Sequence, residues 1–359
     1  MPIQWNTDFC QMMGIRYPLV LAGMAGIANM PTLVAAVSNA GGLGTLGGAY
    51  VNPPQLRQMI KEIKAKTDAP FAVNLFAHIG SDQYDGWEAV LKQLEPIRQT
   101  LRIPAPARNE IVTPNHFEAQ FAVLLEEHVP VISTTFGLLS AMHMQQAKSA
   151  GMLVIGTATT VAEAMQAQAS GCDVIVAQGS EAGGHRGTFD IRTEPLGSNI
   201  GTMALVPQIV DHVRIPVLAA GGIMDGRGLI AALALGAQGV QMGTRFLTSA
   251  ESGAHEVYKQ ALLQSTEEST VITNAFSGRP ARGICNAFIR HWNTAGMEPL
   301  AFPTQNTLTR AIRNAAADQH NPEHMALWAG QGTRLLTDRQ PAAEIVQQMM
   351  EQAEALLQR

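Results

Sequence analysis

Residues 217–242 read VLAAGGIMDGRGLIAALALGAQGVQM, and this stretch contains a complete strand–helix–strand unit. A short apolar run, Val217 to Ala219, is followed by two glycines and an Ala- and Leu-rich segment. That segment ends at Gly236, as a left-handed helix C-terminus requires, and a second apolar run, Gly239 to Met242, comes next. Neither run shows the alternation of a half-solvated strand, so both fit a buried parallel sheet.

The same unit recurs along the chain, with most strand starts about 20–28 residues apart, the length of one strand, one helix and two short loops. The eight apolar runs are Pro18 to Ala22, Leu43 to Leu46, Phe71 to Leu75, Val131 to Thr135, Met152 to Ile155, Val174 to Ala177, Val217 to Ala219, and Gly239 to Met242. Eight β–α units predict an α/β fold, the closed (β/α)₈ or TIM barrel.

Spacing between the runs also predicts the domain organisation. We expect a barrel over 1–270, with insertions near 76–113 and 188–204, where two intervals exceed the usual length. The segment 271–340 is expected to form a smaller, mainly helical accessory domain or lid. A C-terminal helix over 341–359 is placed where it can pack back on the barrel.

Local signals predict several helix ends. Asn29, followed by Pro31, is expected to cap the first barrel helix. A second helix is expected from Pro53 to about Lys66. Gly151 and Gly171, like Gly236, follow Ala- or Leu-rich segments and are expected to end helices.

Composition excludes several function classes. The 359 residues are 46% hydrophobic and carry a net charge of -5, with no basic stripe for nucleic acid. The longest apolar run, 229–242, is too short to cross a membrane, and Met1 to Asn6 lacks a basic region followed by an apolar one, so a cytoplasmic protein is expected. Three scattered cysteines lack a C-x-x-C spacing, so no metal is predicted: Cys10, Cys172 and Cys285.

One loop carries the clearest chemical signal. It runs from Gln178 to Gly187, directly after the sixth apolar run, and reads QGSEAGGHRG. Glycines let a backbone approach a ligand closely, while His185 and Arg186 add a titratable group and a fixed charge. The carboxyl end of a barrel strand is where such enzymes place their sites, so this loop is predicted to bind a ligand.

Glycines also follow the seventh and eighth runs, in Gly221-Gly222-Ile223 and in Gln241-Met242-Gly243-Thr244-Arg245. In a barrel these two loops form the usual phosphate site, because bare backbone amides and a helix N-terminus both face the anion. The pair therefore predicts a phosphorylated cofactor.

Two further strand ends fit a flat, polar-edged cofactor. The small residues of Ala22-Gly23-Met24 allow a ring to lie against backbone amides, although core packing explains them equally well. Asn74 and Gln178 place carboxamides at the ends of apolar strands, where an unpaired amide costs about 1–3 kcal/mol. Ligand contact or loop bracing would satisfy either amide, and both amides would suit the polar edge of a flavin.

These motifs together resemble one family over nearly the whole chain. The stretches concerned are 18–24, 178–187, 221–222, 241–244, Phe276-Ser-Gly-Arg-Pro-Ala-Arg-Gly283 and Trp328-Ala-Gly-Gln-Gly332. They resemble the FMN-dependent nitronate monooxygenases, formerly called 2-nitropropane dioxygenases, of class I. The His185 loop and the two late motifs are the most specific parts, since barrel glycines occur in many FMN barrels.

The resemblance implies an enzyme that binds FMN noncovalently and uses O₂ to oxidise alkyl nitronates such as propionate 3-nitronate. The implied products are a carbonyl compound and nitrite, formed through an anionic flavin semiquinone, without reduced nicotinamide or metal. It makes His185 the active-site histidine and brings 202–208 close to the flavin. The implied FMN contacts are Ala22, Gly23, Met24, Asn74, Gln178, Gly183, Gly221, Gly222, Gln241, Met242, Gly243 and Thr244.

Several alternatives stay open at this point. A protonated His185 would hold the nitro oxygens, whereas a neutral His185 would take the α-proton of a nitroalkane. Trp328 would either wall the site or pack in the core, and the protein would be a monomer or a homodimer. The nine other histidines are expected on the surface or in loops.

Two rival functions also remain. One is an NAD(P)H-dependent FMN reductase acting on quinones or enoyl thioesters. The other is a non-catalytic barrel that binds a phosphorylated ligand.

Overall fold

Eight parallel strands close into a barrel in the computed structural model, which describes residues 5–358. Residues 1–4, part of the N-terminal stretch considered above, and residue 359 lie outside the described residues. The strands are β1 Leu19–Leu21, β2 Gly44–Gly47, β3 Phe71–Phe76, β4 Val131–Thr135, β5 Leu153–Ala158, β6 Val174–Gln178, β8 Val217–Ala220 and β9 Gly239–Met242, while β7 (Gly184–His185) lies outside the barrel. The order around the barrel is β1-β9-β8-β6-β5-β4-β3-β2, and a parallel bridge between Val20 and Leu43 joins the two ends of this order. All eight predicted runs are strands, so the predicted TIM barrel is confirmed.

Alternate side chains of the barrel strands face inward and outward, and both faces are apolar. Val20, Leu43 and Val131 belong to a buried interior cluster. The short helix α1 (Asp8–Met13) adds Phe9 to this cluster and so closes one end of the barrel. The outward side chains pack under the helices in a larger cluster. Burial on both faces explains why the strands lack polar alternation.

Fifteen α-helices lie in the described chain. Besides α1 they are α2 Met30–Asn39, α3 Pro53–Lys64, α4 Trp87–Leu101, α5 Phe117–Glu126, α6 Ala141–Ser149, α7 Val161–Ser170, α8 Thr202–His212, α9 Gly226–Ala234, α10 Thr244–Leu247, α11 Glu256–Gln264, α12 Ala287–Ala295, α13 Thr304–Leu308, α14 Arg310–Asp318 and α15 Ala342–Leu357. Short 3₁₀ turns cover Arg108–Glu110, Pro322–His324 and Thr333–Leu335. Gly151, Gly171 and Gly236 have the expected left-handed conformation, with φ of 74°, 101° and 92°.

Asn29 stands directly before α2, so the predicted helix start is confirmed, but the predicted side-chain cap is wrong. Asn29 is itself left-handed, with φ of 51°, and its side chain accepts no helix N–H. Instead, its Oδ1 accepts from Thr32 Oγ1 and its Nδ2 donates to the Glu251 carbonyl. An N-cap side chain reaches the first-turn amides from an extended backbone, and the left-handed backbone at Asn29 is not extended.

A second, antiparallel sheet lies beside the barrel, in the order β10-β11-β7. It contains β10 (Thr270–Thr273), β11 (Ala281–Ile284) and the two-residue strand β7 (Gly184–His185). Its surroundings are mainly helical, and a separate apolar cluster unites side chains of α4, such as Leu94, with Phe288 of α12. The first insertion and the later segment therefore share one core.

The last helix returns to the barrel. Side chains of α15 such as Ile345 and Met349 belong to the same apolar cluster as the α2 and α9 side chains. Ala250 N–H donates to the Gln340 carbonyl at 3.0 Å, so the chain leaves and re-enters the barrel layer at neighbouring points. The boundaries near 270 and 340 stay predictions. None of the helices within 5–358 is long and apolar enough to span a membrane.

Candidate active site

A cavity opens at the carboxyl ends of the barrel strands, and all thirteen residues predicted for the site line it. They are Ala22, Gly23, Met24, Asn74, Gln178, Gly183, His185, Gly221, Gly222, Gln241, Met242, Gly243 and Thr244. The cavity holds about 1290 Å³ of empty space, its open mouth included, which is enough for a mononucleotide-sized ligand. The structure thus brings these residues together, while their individual roles stay predictions.

The His185 loop is held from both sides. Gln178 Nε2 donates to the His185 carbonyl at 3.0 Å, and Gln178 Oε1 accepts from Gly187 N–H at 2.8 Å. On the other side, Gly184 and His185 pair with Arg282 and Ala281 of β11. The Gln178 amide therefore braces the loop, and the position of His185 depends on the accessory sheet as well as on the barrel.

The position of Arg186 beside His185 suggests contact with a ligand, but the structure places its side chain inside the protein. It is fully buried, and its guanidinium donates to the carbonyls of Gly179 and Gln178 at 2.8 and 2.9 Å and to that of Ser198 at 3.1 Å. Its charge is therefore used inside the loop, and it does not line the cavity. Burial lowers its pKa to about 10, so it remains charged at neutral pH.

The His185 imidazole lies among aromatic rings and a hydroxyl. Its Nε2 is 2.8 Å from Ser277 Oγ. Its ring centroid is 5.6 Å from that of Phe136 and 5.4 Å from that of Trp328. Burial, followed by the charges of Arg279 and Arg313, lowers the pKa of His185 to about 3. His185 is therefore neutral at physiological pH.

Two arginines make the surroundings of His185 electropositive. The Arg279 guanidinium lies 4.1 Å above the centre of the Phe136 ring, and Arg313 donates to the Asn306 backbone and side chain. Burial lowers the pKa of each to about 10, so both are charged at neutral pH. Within residues 5–358, neither has a carboxylate at ion-pair distance.

The glycine loops after β8 and β9 present bare backbone to the cavity. Gly221 and Gly222 have φ of 115° and 73°, conformations that other residues rarely adopt. Thr202 Oγ1 fixes this loop through the Gly221 carbonyl, at 3.0 Å. In the described chain, no protein acceptor is found for the N–H groups of Gly222 and Gly243, so both are free to bind an anion.

Close packing shapes the cavity near β1 and β3. A Cβ added at Gly23 would lie only 2.5 Å from Asn74 Cβ, so this position requires glycine. Asn74 Nδ2 donates to Ser133 Oγ at 2.8 Å and to Thr135 Oγ1 at 3.2 Å. Among the described residues Asn74 Oδ1 has no donor, which leaves it available to a ligand.

The accessory segment supplies one wall of the cavity. Trp328 lines the cavity, so of the two alternatives for this residue, a wall of the site or core packing, the structure supports the first. Tyr258 Oη donates to the Trp328 carbonyl, and Gly330 N–H donates to Thr244 Oγ1 at 3.0 Å. This wall is thereby tied to the start of α10.

Several residues near the cavity were not predicted for the site. Tyr50, Phe76 and Tyr258 line it, and no local pattern distinguishes them. Glu181 also lines it and lies in the predicted ligand-binding loop 178–187, although the sequence gives it no individual role. Ser277 and Arg279 lie in the quoted 276–283 motif, which gives neither residue an individual role.

His143 differs from its prediction as a surface or loop residue. It lies on α6 and is buried, because Phe117 and Phe121 of α5 pack against its ring. The segment 202–208 begins α8, and its Thr202 supports the Gly221 loop from behind.

Comparison with known proteins identifies the relatives of this chain. A family model described as nitronate monooxygenase matches residues 6–352. The probable nitronate monooxygenase of Staphylococcus saprophyticus is 45% identical over 99% of both chains, and that of Staphylococcus haemolyticus is 44% identical over 98% of both.

Two solved structures are also similar to this chain over nearly its whole length. The nitroalkane oxidase from Streptomyces ansochromogenes superposes with a TM-score of 0.89 at 37% identity, covering 97% of this chain and 99% of that one. FabK from Thermotoga maritima superposes with a TM-score of 0.78 at 31% identity, covering 98% of this chain and 97% of that one.

Proposed function

The chain belongs to the nitronate monooxygenase family, and we propose that it uses FMN and O₂ to oxidise alkyl nitronates, of the propionate 3-nitronate type, to carbonyl compounds and nitrite. It is an oxidoreductase. The nitroalkane oxidase from Streptomyces ansochromogenes acts, as its name says, on the neutral forms of such compounds.

One observation carries this proposal: a neutral histidine lines the cavity within the electrostatic field of Arg279 and Arg313. Arg279 and Arg313 are charged and lack ion-pair partners in the described chain, and both disfavour a proton on His185. A nitronate is an anion, and a cavity with this field attracts it. Neutral nitroalkanes gain nothing from the field, and a base with a pKa of about 3 is weakly driven to take their α-proton. We therefore expect nitronates to react faster.

The residues present fit FMN. The free N–H groups of Gly222 and Gly243 suit its phosphate, and the glycine at position 23 leaves a flat surface where a larger residue would strike Asn74. The free Asn74 Oδ1 and the Gln241 side chain suit the polar edge of the ring. When bound, FMN supplies the electron acceptor that no side chain provides.

The chain's own residues then bind and orient the substrate. An anion beside His185 raises the pKa of this imidazole, so a nitronate and a proton on His185 stabilise each other. The complex of nitronate and protonated His185 can form in two ways. A nitronate binds while His185 takes a proton from solvent, or a neutral nitroalkane binds and gives its own α-proton to His185. Trp328 and Phe136 flank the imidazole and limit access of water.

The visible spectrum tests the proposal. The FMN-loaded protein, kept anaerobic, receives propionate 3-nitronate in one sample and NADH or NADPH in others. We expect rapid loss of oxidised-flavin absorbance with the nitronate alone and, after air is admitted, stoichiometric nitrite. Bleaching by NADH or NADPH without a response to nitronate would establish the rival reductase. A protein that binds no flavin would instead favour a non-catalytic barrel.

A further inference from the structure

Ser277 lies in the turn between β10 and β11 and is 1% exposed. A hydroxyl has one proton to donate and two lone pairs that accept. Ser277 Oγ accepts from Arg279 N–H at 3.2 Å and is 3.0 Å from the Arg279 carbonyl. A carbonyl only accepts, and no other donor to it is found in the described chain. The single hydroxyl proton of Ser277 therefore goes to Arg279.

The remaining lone pair of Ser277 faces His185. Because its proton is already committed, Ser277 Oγ accepts a hydrogen bond from His185 Nε2 at 2.8 Å. His185 Nε2 must then carry the proton of the neutral ring. His185 Nδ1 is left with a free lone pair. Nδ1 has no partner within 5–358 and is not among the buried unpaired atoms, so it is open to the cavity that His185 lines.

We propose that Ser277 is a positioning residue, which fixes His185 as the Nε2–H tautomer and makes Nδ1 the atom that exchanges a proton with the substrate. In the reaction with a neutral nitroalkane, the α-C–H bond breaks and its proton goes to Nδ1. The electron pair stays on the substrate, which becomes the nitronate. The resulting imidazolium keeps its Nε2–H···Ser277 hydrogen bond. This inference rests on the proposed function.

Removal of the Ser277 hydroxyl should affect the rates with a nitroalkane and with a nitronate differently. In Ser277→Ala the opposite tautomer, with the proton on Nδ1, becomes accessible. That tautomer can still donate a hydrogen bond to a nitronate, but it has no lone pair in the cavity to take a proton from a nitroalkane. The defect should therefore fall on the nitroalkane alone.

The experiment has two readouts on the FMN-loaded protein. The first is ¹⁵N NMR of histidine-labelled protein, with His185 assigned by the signal missing in His185→Gln. We expect Nε2 protonated and Nδ1 unprotonated in the parent. In Ser277→Ala the Nδ1–H tautomer should predominate, because a proton on Nε2 would then lack its acceptor. The second is turnover of 3-nitropropionate and of its nitronate. In Ser277→Ala, kcat for the nitroalkane should fall about tenfold or more, while kcat for the nitronate changes less than about twofold.

Two variants complete the test. Ser277→Thr keeps the hydroxyl and should restore both the tautomer and the nitroalkane rate. Thr309→Val removes another buried hydroxyl of the same region, which donates to the Phe276 carbonyl, and should leave both substrates unaffected. Equal losses on both substrates, or a parent protein with the proton on Nδ1, would overturn the inference. Failure of the parent to oxidise any nitronate would count against the proposed function, while the NMR result would still decide the tautomer.

Discussion

Gly183 and Gly330 pack backbone against backbone. A Cβ added at Gly183 would lie 2.5 Å from the Gly330 nitrogen, and one added at Gly330 would lie 2.6 Å from the Glu181 carbonyl oxygen. The His185 loop of the barrel and the Trp328 wall thus touch where neither side has room for a methyl group. The shape of the cavity depends on this contact.

Gly330→Ala should therefore weaken flavin binding. The backbone must shift to admit the methyl group, and the Gly330 N–H bond to Thr244 shifts with it. We expect the Kd for FMN, measured by fluorescence titration, to rise about tenfold, which corresponds to about 1.4 kcal/mol. Gly201→Ala is the matched control, because its added Cβ keeps 3.4 Å from Glu181. Equal affinity in Gly330→Ala and the parent would show that the contact is not needed.

His185→Gln should lower both reactions unequally. A charge-assisted hydrogen bond contributes about 1.5–3 kcal/mol, so kcat/KM for the nitronate should fall at least about tenfold. The reaction of the neutral nitroalkane also loses its proton acceptor, so kcat/KM for the nitroalkane should fall about 10²–10⁴-fold. Oxygen consumption at matched flavin content measures both. A variant that retains FMN and oxidises nitronate at the parent rate would remove His185 from the mechanism.

The depressed pKa of His185 should also appear as a stability effect. The unfolded chain binds a proton at His185 near pH 6.5, whereas the folded chain binds it only near pH 3. Acid therefore favours the unfolded state, and this penalty grows as the pH falls below 6.5. Between pH 7 and 5, the parent should lose about 1–2 kcal/mol more free energy of unfolding than His185→Gln. Urea unfolding of both proteins at the two pH values makes the comparison, and parallel losses would contradict it.

Arg279→Met should weaken capture of the anionic substrate. Methionine preserves packing over Phe136 but removes the charge. We expect KM for the nitronate to rise about tenfold at low ionic strength, with a smaller difference in high salt. Arg290→Met serves as the control, since Arg290 is exposed and pairs with Glu323. An unchanged KM in Arg279→Met would assign the attraction to another group.

The barrel and much of the cavity could be predicted because their signals are local. Apolar runs such as Val131 to Thr135 are buried on both faces, and glycine pairs such as Gly221-Gly222 occur where bare backbone is needed. The strand β7 has only two residues and is defined by its partner Ala281, so no periodicity could indicate it. The role of Ser277 likewise depends on its hydrogen bond with His185, which is distant in the sequence. Such pairings depend on the folded chain.

The hydrogen bond between Ala250 and Gln340 has a consequence for how this architecture could arise. The residues between them, which carry Ser277 and Trp328, begin and end at adjacent points, before α15 completes the barrel. The segment therefore has the form of an internal insertion, anchored at both ends, and the β7–β11 pairing and the Gly183–Gly330 packing tie it to the barrel between those ends. An ancestral barrel could have acquired it at one loop without any change of strand order, and reciprocal exchange of this segment between relatives would be the natural way to alter what the barrel oxidises.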